Sequence, residues 1–212
     1  MDAEFWHGRW RQGAIGFHQA ETNALLTRHL PALGLPQGAR LFVPLCGKTR
    51  DIHWLRANGL QVAGAALSPL AVEQLFAELG IEPRISMAGS LQRHEAEGLT
   101  IFAGDIFALD RETLGHVDAV YDRAAVVALP PATRTLYASH LRAMTGGAPQ
   151  IVITFDYEQS SMEGPPFSVS EAEMRRLYAD AYRLTHLESR DVEGGLKGLC
   201  PARECLWLLQ PR

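Results

Sequence analysis

Residues 40–53, Arg-Leu-Phe-Val-Pro-Leu-Cys-Gly-Lys-Thr-Arg-Asp-Ile-His, constrain the fold more than any other stretch of the chain. An apolar strand over 39–45 runs into a Cys46-Gly47 turn, and a helix over 51–58 follows at once and closes at Gly59. A strand that ends in bare backbone and a helix N-terminus belongs to an α/β sheet, and at that junction such sheets meet ligands. The pattern repeats. A strand over 60–66 leads to Ser68-Pro69, an N-cap and first helical position. The next helix carries Ala71, Val72, Leu75, Phe76 and Leu79 on one face and ends at Gly80.

Further strands fit 99–103, 117–122 and 150–156, with helices over 131–144 and 170–182. Leu25, Leu26, Leu30 and Leu33 give 22–33 a helical face, and 84–98 reads as an irregular hairpin. Two closing strands, 184–192 and 203–210, follow each other without a helix between them. These spacings predict a doubly wound, mostly parallel seven-stranded sheet with an antiparallel edge strand, built as one domain over 1–212. Ligands in such sheets sit beyond the carboxyl ends of the strands, here at 45–47, 65–66, 104–105 and 122–123.

Composition narrows the partners. A length of 212 residues allows a substantial core without staples, and 47% hydrophobic with 21% charged content is ordinary for a globular protein. The net charge of −4 comes from 20 basic and 24 acidic residues spread along the chain. No basic stripe points to nucleic acid and no amphipathic or polybasic segment to a membrane. Cys46, Cys200 and Cys205 form neither a CxxC pair nor a metal set, and reduced thiols in the cytoplasm fit them best. The start, Met-Asp-Ala-Glu-Phe-Trp, is unlike a signal peptide. The chain reads as a cytoplasmic protein for which nothing demands more than a monomer.

Four segments then speak together: FWHGRWRQGAIGFHQ at 5–19, VPLCGKTRD at 43–51, DAVYDRAAVVALPPATR at 118–134 and GPPFSVSEAEMRRLY at 164–178. In this order they resemble the thiopurine S-methyltransferase family, which has the Rossmann-like class I S-adenosylmethionine-dependent fold. The resemblance implies S-adenosylmethionine as cofactor and a small thiol, thione or selenol, heteroaromatic as thiopurines are, as acceptor. It implies that Trp10, Leu45, Gly47, Asp105, Ile106 and Arg123 border the cofactor and that residues 1–35 form an N-terminal lid. Phe17, His18, Trp6 and Phe167 are the corresponding acceptor-side residues, and Asp122 and Arg123 the catalytic strand end.

Each assignment has a structural competitor. Trp6 and Trp10 at i and i+4 also suit a helix docked on the core. Arg123 also suits an ion pair with Asp122, and His18 a loop-holding hydrogen bond. Cys46 at a helix N-terminus invites a nucleophilic reading, yet no histidine is placed to activate it. The departure from the family is specific: where its second strand ends Gly-Val-Glu-Ile/Leu-Ser, this chain has Gly64-Ala65-Ala66-Leu67-Ser68. Ala66 thus stands at the ribose-binding position of the glutamate, which puts cofactor affinity in question. Asp51 and Asp105 are the acids at the same edge that could replace it. A protein that has lost or weakened cofactor use and binds, sequesters or demethylates a heteroaromatic metabolite is the competing reading.

Overall fold

The computed structural model describes residues 3–16 and 18–212. Strands β1 (Arg40–Val43), β2 (Gln61–Ala66), β3 (Arg84–Ala88), β4 (Leu91–Ala96), β5 (Leu99–Ala103), β6 (Ala119–Arg123), β7 (Gln150–Asp156), β8 (Tyr182–Asp191) and β9 (Arg203–Pro211) form one sheet. Its order is β3-β4-β5-β2-β1-β6-β7-β9-β8. The run from β5 to β7 is parallel throughout. The last strand, β9, inserts antiparallel between β7 and β8, which leaves β8 at the edge. At the other edge the 84–98 segment is a regular hairpin that adds two strands to the expected seven. A two-residue Gly89-Ser90 turn, with Gly89 at φ 61°, supplies the tight reversal this needs.

Helices α1 (Ala3–Arg11), α2 (Ala24–His29), α3 (Arg50–Ala57), α4 (Pro69–Leu79), α5 (Arg111–Leu114), α6 (Pro131–Thr145) and α7 (Glu171–Tyr178) accompany the sheet. Alternation along each strand divides the core. Leu41, Val43, Val62, Tyr121 and Ile153 pack with Ile52 and Leu55 of α3 and Val72, Leu75 and Phe76 of α4. Phe42, Ala63, Val120 and Val152 pack on the opposite face with Tyr137 and Leu141 of α6 and Met174 and Tyr178 of α7. Both faces are therefore buried, as a doubly wound sheet requires. Helix α7 stops four residues short of the expected end, because Tyr182 already pairs with Pro211 of β9. Among the described residues, no helix is long and apolar enough to cross a membrane.

Connections from β1 proceed to β2 and β5 on one side and resume at β6 and β7 on the other. The strand order thus reverses between β1 and β6, and a crevice opens above their carboxyl ends.

Candidate functional site

A cavity of about 640 Å3 occupies that crevice, within the usual range for small-molecule sites. Its floor is the turn after β1. Leu45 at φ 47° and Gly47 at φ 52° both adopt the left-handed conformation, which is strained for leucine and open to glycine. At Gly47 space is also decisive, since a Cβ would stand 2.9 Å from the Trp10 ring. The Cys46 N–H donates to Ala65 O at 2.8 Å and ties the turn to β2. Thr49 then caps α3 by accepting the Asp51 N–H at 3.3 Å.

The roof comes from α1, where Trp6, Arg9 and Trp10 share one helical face and line the cavity, with His18 just beyond. The far wall is made by Phe155 of β7, by Pro165 and Pro166, and by the end of β8 and its connection to β9. Arg123 and Ala66 line it from the strand ends.

Five lysine and arginine side chains face this cavity. Lys48 pairs with Glu78 at 2.7 Å, and Arg190 donates through Nε and a terminal nitrogen to Glu204 at 2.8 and 2.5 Å. Among the described residues, Arg9, Arg123 and Lys197 have no ion pair. Glu204 is 5% exposed and belongs to a buried chain of hydrogen bonds. Asn23 donates from Nδ2 to Glu204 at 3.2 Å and from its backbone to Asp51 at 2.8 Å. Tyr121 donates to the other Asp51 oxygen at 3.0 Å.

The residues around the cavity titrate according to burial. The Cys46 thiol is pushed up to about 12 by desolvation, so it stays protonated. His18 is held below its ordinary value by burial and then by the Lys48 charge, with Glu78 opposing and Arg50 and Arg123 reinforcing.

With this geometry in view, the family model described as thiopurine S-methyltransferase matches residues 1–201. The chain belongs to the thiopurine S-methyltransferase family. It is 54% identical over 211 residues to the thiopurine S-methyltransferase of Xanthobacter autotrophicus, covering 99% of each chain. It is 50% identical over 210 residues to that of Gluconobacter oxydans, covering 99% of this chain and 96% of the other. In fold it is similar to 1,6-didemethyltoxoflavin-N1-methyltransferase of Burkholderia thailandensis, with a TM-score of 0.66 at 15% identity, over 98% of this chain and 87% of that one. The class I methyltransferase fold and membership of a methyltransferase family thus agree.

Within this thiopurine S-methyltransferase family member, Trp6, Trp10, His18, Leu45, Gly47, Ala66 and Arg123 come together on one cavity. Asp122 does not join them. Strand alternation turns its side chain to the α6 face, where it accepts Val126 N–H at 3.0 Å and Tyr137 O–H at 2.7 Å. Burial raises its pKa to about 6 against those hydrogen bonds. Its carboxylate is therefore committed away from Arg123, and the ion pair weighed for that arginine does not form. Asp105 caps the short turn after β5 by accepting Phe107 N–H at 3.1 Å, and Ile106 is buried in the core, so the cavity wall stops short of both. Phe167 packs under Arg134, 5.6 Å from ring centroid to guanidinium carbon, while its neighbours Pro165 and Pro166 face the cavity. Phe17 lies outside the described residues. Arg9, Lys48, Arg190, Lys197 and Glu204 were not anticipated; the signal for Lys197 is its place in Gly194-Gly195-Leu196-Lys197-Gly198, where tight-turn glycines frame one cation.

Proposed function

We propose that the chain is an S-adenosylmethionine-dependent S-methyltransferase for a small thiol, thione or selenol acceptor of the thiopurine-like heteroaromatic class, working as a cytoplasmic monomer. Residues 1–35 serve as its lid over a single domain spanning 1–212. The observation that carries this reading is the convergence of the left-handed Leu45–Gly47 turn, the Trp10 ring and the unpaired Arg123 in one roofed crevice at the sheet's switch point.

The residues present fit the methionine half of the cofactor. The turn exposes backbone where no Cβ fits, and Arg123 offers a cation to a carboxylate. At the ribose position Ala66 offers no hydrogen bond, and neither candidate replacement acid lines the cavity: Asp51 is held by Asn23 and Tyr121, and the exposed Asp105 accepts the Phe107 N–H through one oxygen. When bound, S-adenosylmethionine supplies an electrophilic methyl group on a sulfonium sulfur. The protein's own part is alignment and exclusion of water. Trp6 and Trp10 cover the crevice, and Arg123 stabilises an anionic sulfur nucleophile before it reacts. Asp122 holds the backbone at Val126, three residues beyond Arg123, and so fixes the direction of the strand end. An acidic heterocyclic thiol is already an anion near neutral pH and needs no general base.

One observation favours a second reading. With Ala66 in the ribose position and no replacement acid on the wall beside it, weak cofactor binding suits a protein that sequesters a heteroaromatic ligand or removes a group from it. Calorimetric titration with S-adenosylmethionine and S-adenosylhomocysteine, followed by labelled methyl transfer to 6-mercaptopurine, separates the two. Micromolar binding with labelled thioether supports methyl transfer. Absence of cofactor binding alongside binding of the purine thiol refutes it.

A further inference from the structure

A second cavity, of about 470 Å3, lies beside the α4–β3 connection and shares no lining residue with the crevice at the strand ends. Glu73, Phe76 and Ala77 stand at i, i+3 and i+4 on α4 and form one wall. Ile81, Glu82 and Pro83 close the end, and Ile85 of β3 and His94 of β4 make the other wall. Ile85 and His94 are register partners in the hairpin, so their side chains leave the sheet on the same face. The His94 ring stacks on Phe76 with 6.0 Å between centroids and 27° between planes.

Most of this lining is apolar, and Ile85 is left 60% exposed. The polar side chains in it are two acids and a histidine. Glu73 and Glu82 are exposed, and among the described residues neither has an ion pair. Arg84, between Pro83 and Ile85, turns to the other face of its strand and pairs with Glu95 at 2.6 Å. His94 is 3% exposed, and its buried Nε2 has no hydrogen-bond partner among the described residues. A buried polar atom of this kind calls for a partner. Burial holds the His94 ring below its ordinary value, against the opposing Glu73 charge. The imidazole is therefore uncharged near neutral pH, and with its proton on Nδ1 it presents Nε2 as an acceptor.

We propose that this cavity binds a small primary amine with an apolar body, an arylalkylamine by chemical class, whose ammonium group donates to Glu73, Glu82 and His94 Nε2. An ammonium carries three N–H donors and no acceptor, which matches three acceptors drawn from α4, the connection and β4. The body of the amine covers Phe76, Ile81 and Ile85. A carboxylate or phosphate would instead meet two negative charges without a cation on the wall. The inference does not rest on the methyl-transfer reading.

The test titrates the intact chain with 2-phenylethylamine near neutral pH, read by calorimetry. The expected dissociation constant is about 1 mM or tighter, in keeping with a ligand of this size. Affinity falls roughly three- to tenfold in Glu73→Gln and in Glu82→Gln, the value of a charged hydrogen bond discounted for an exposed partner. His94→Leu loses a similar factor, and His94→Gln, which keeps an acceptor, recovers part of it. 3-Phenylpropionate, with the same ring and the opposite charge, binds at least tenfold more weakly than the amine. Both glutamates are exposed, so their variants decide the matter even where His94→Leu does not fold. Absence of amine binding overturns the site, as does equal affinity for 3-phenylpropionate. Amine binding unmoved by both glutamine variants and displaced by S-adenosylhomocysteine places the amine in the crevice and overturns the site as well.

Discussion

Replacing Ala66 by glutamate restores a carboxylate at the end of β2 and tests how the crevice holds a ribose. Ala66 is 2% exposed, pairs in register with Ala103 of β5, and lines the cavity where the strand ends. Its carbonyl already accepts Gly104 N–H at 2.9 Å, so the backbone there is fixed and only the side chain changes. A carboxylate that accepts from the ribose hydroxyls gains about 1.5–3 kcal/mol, or roughly 10- to 100-fold in affinity. Calorimetry with S-adenosylhomocysteine and its 2′-deoxy analogue gives the readout. The unaltered chain should bind the two within about threefold of each other, short of the roughly 10- to 100-fold that a charged hydrogen bond is worth. Ala66→Glu should bind the parent compound about 10- to 100-fold more tightly and discriminate against the deoxy analogue. At a fixed saturating concentration, a tenfold gain adds about 1.4 kcal/mol to ligand-dependent stability, which thermal unfolding detects. Strong discrimination by the unaltered chain refutes the reasoning, because another group then grips the diol. Absence of any gain in the variant refutes it from the other side.

Asp122 gives a pH prediction with a defined sign. Its folded pKa is raised from 3.8 to about 6, so the native state holds the proton longer than the unfolded chain, and stability falls as pH rises from about 4 to about 6. The displacement corresponds to roughly 3 kcal/mol, and Asp122→Asn should flatten that portion of the stability–pH curve in urea titrations; a superimposable curve would count against it. Glu204→Ala strips partners from Asn23 and Arg190 and should cost about 2–4 kcal/mol, below a fully buried pair because Arg190 is 40% exposed; the urea midpoint should fall at constant m value. Gly47→Ala forces a Cβ to within 2.9 Å of Trp10 at φ 52° and should destabilise by ~1–2 kcal/mol, with a shift in tryptophan fluorescence and weaker S-adenosylhomocysteine binding. Full retention of both signals would show that the indole moves freely.

Much of the architecture was legible because its periodicities are local. Ser170 does cap α7, accepting Glu173 N–H at 3.4 Å, and Gly80 and Gly146 close their helices in the left-handed conformation. Boundaries failed where a distant group competed. The expected start of β6 at 117 moves to 119 because the Asp118 carboxylate accepts Arg40 N–H at 2.7 Å from β1. Within the site, alternation already contained one lesson: Tyr121 and Arg123 must face opposite to Asp122. A single catalytic strand end made of both residues was therefore incompatible with the strand that carried it. Arg190, Lys197 and Glu204 could not be read in the same manner, since only the insertion of β9 beside β7 brings that wall to the crevice.

That insertion also dictates a biosynthetic order. β8 leaves the ribosome before β9, yet its place in the sheet lies beyond β9. Until residues 203–211 emerge, β8 has no partner, the edge of β7 stays open, and Asn23 waits for Glu204 from 181 positions downstream. A nascent chain can assemble the parallel half early, but its ligand-facing wall closes last. An unpaired edge such as that of β7 is a template for association with other chains. The interval before β9 docks is therefore the one in which the folding chain is most open to association.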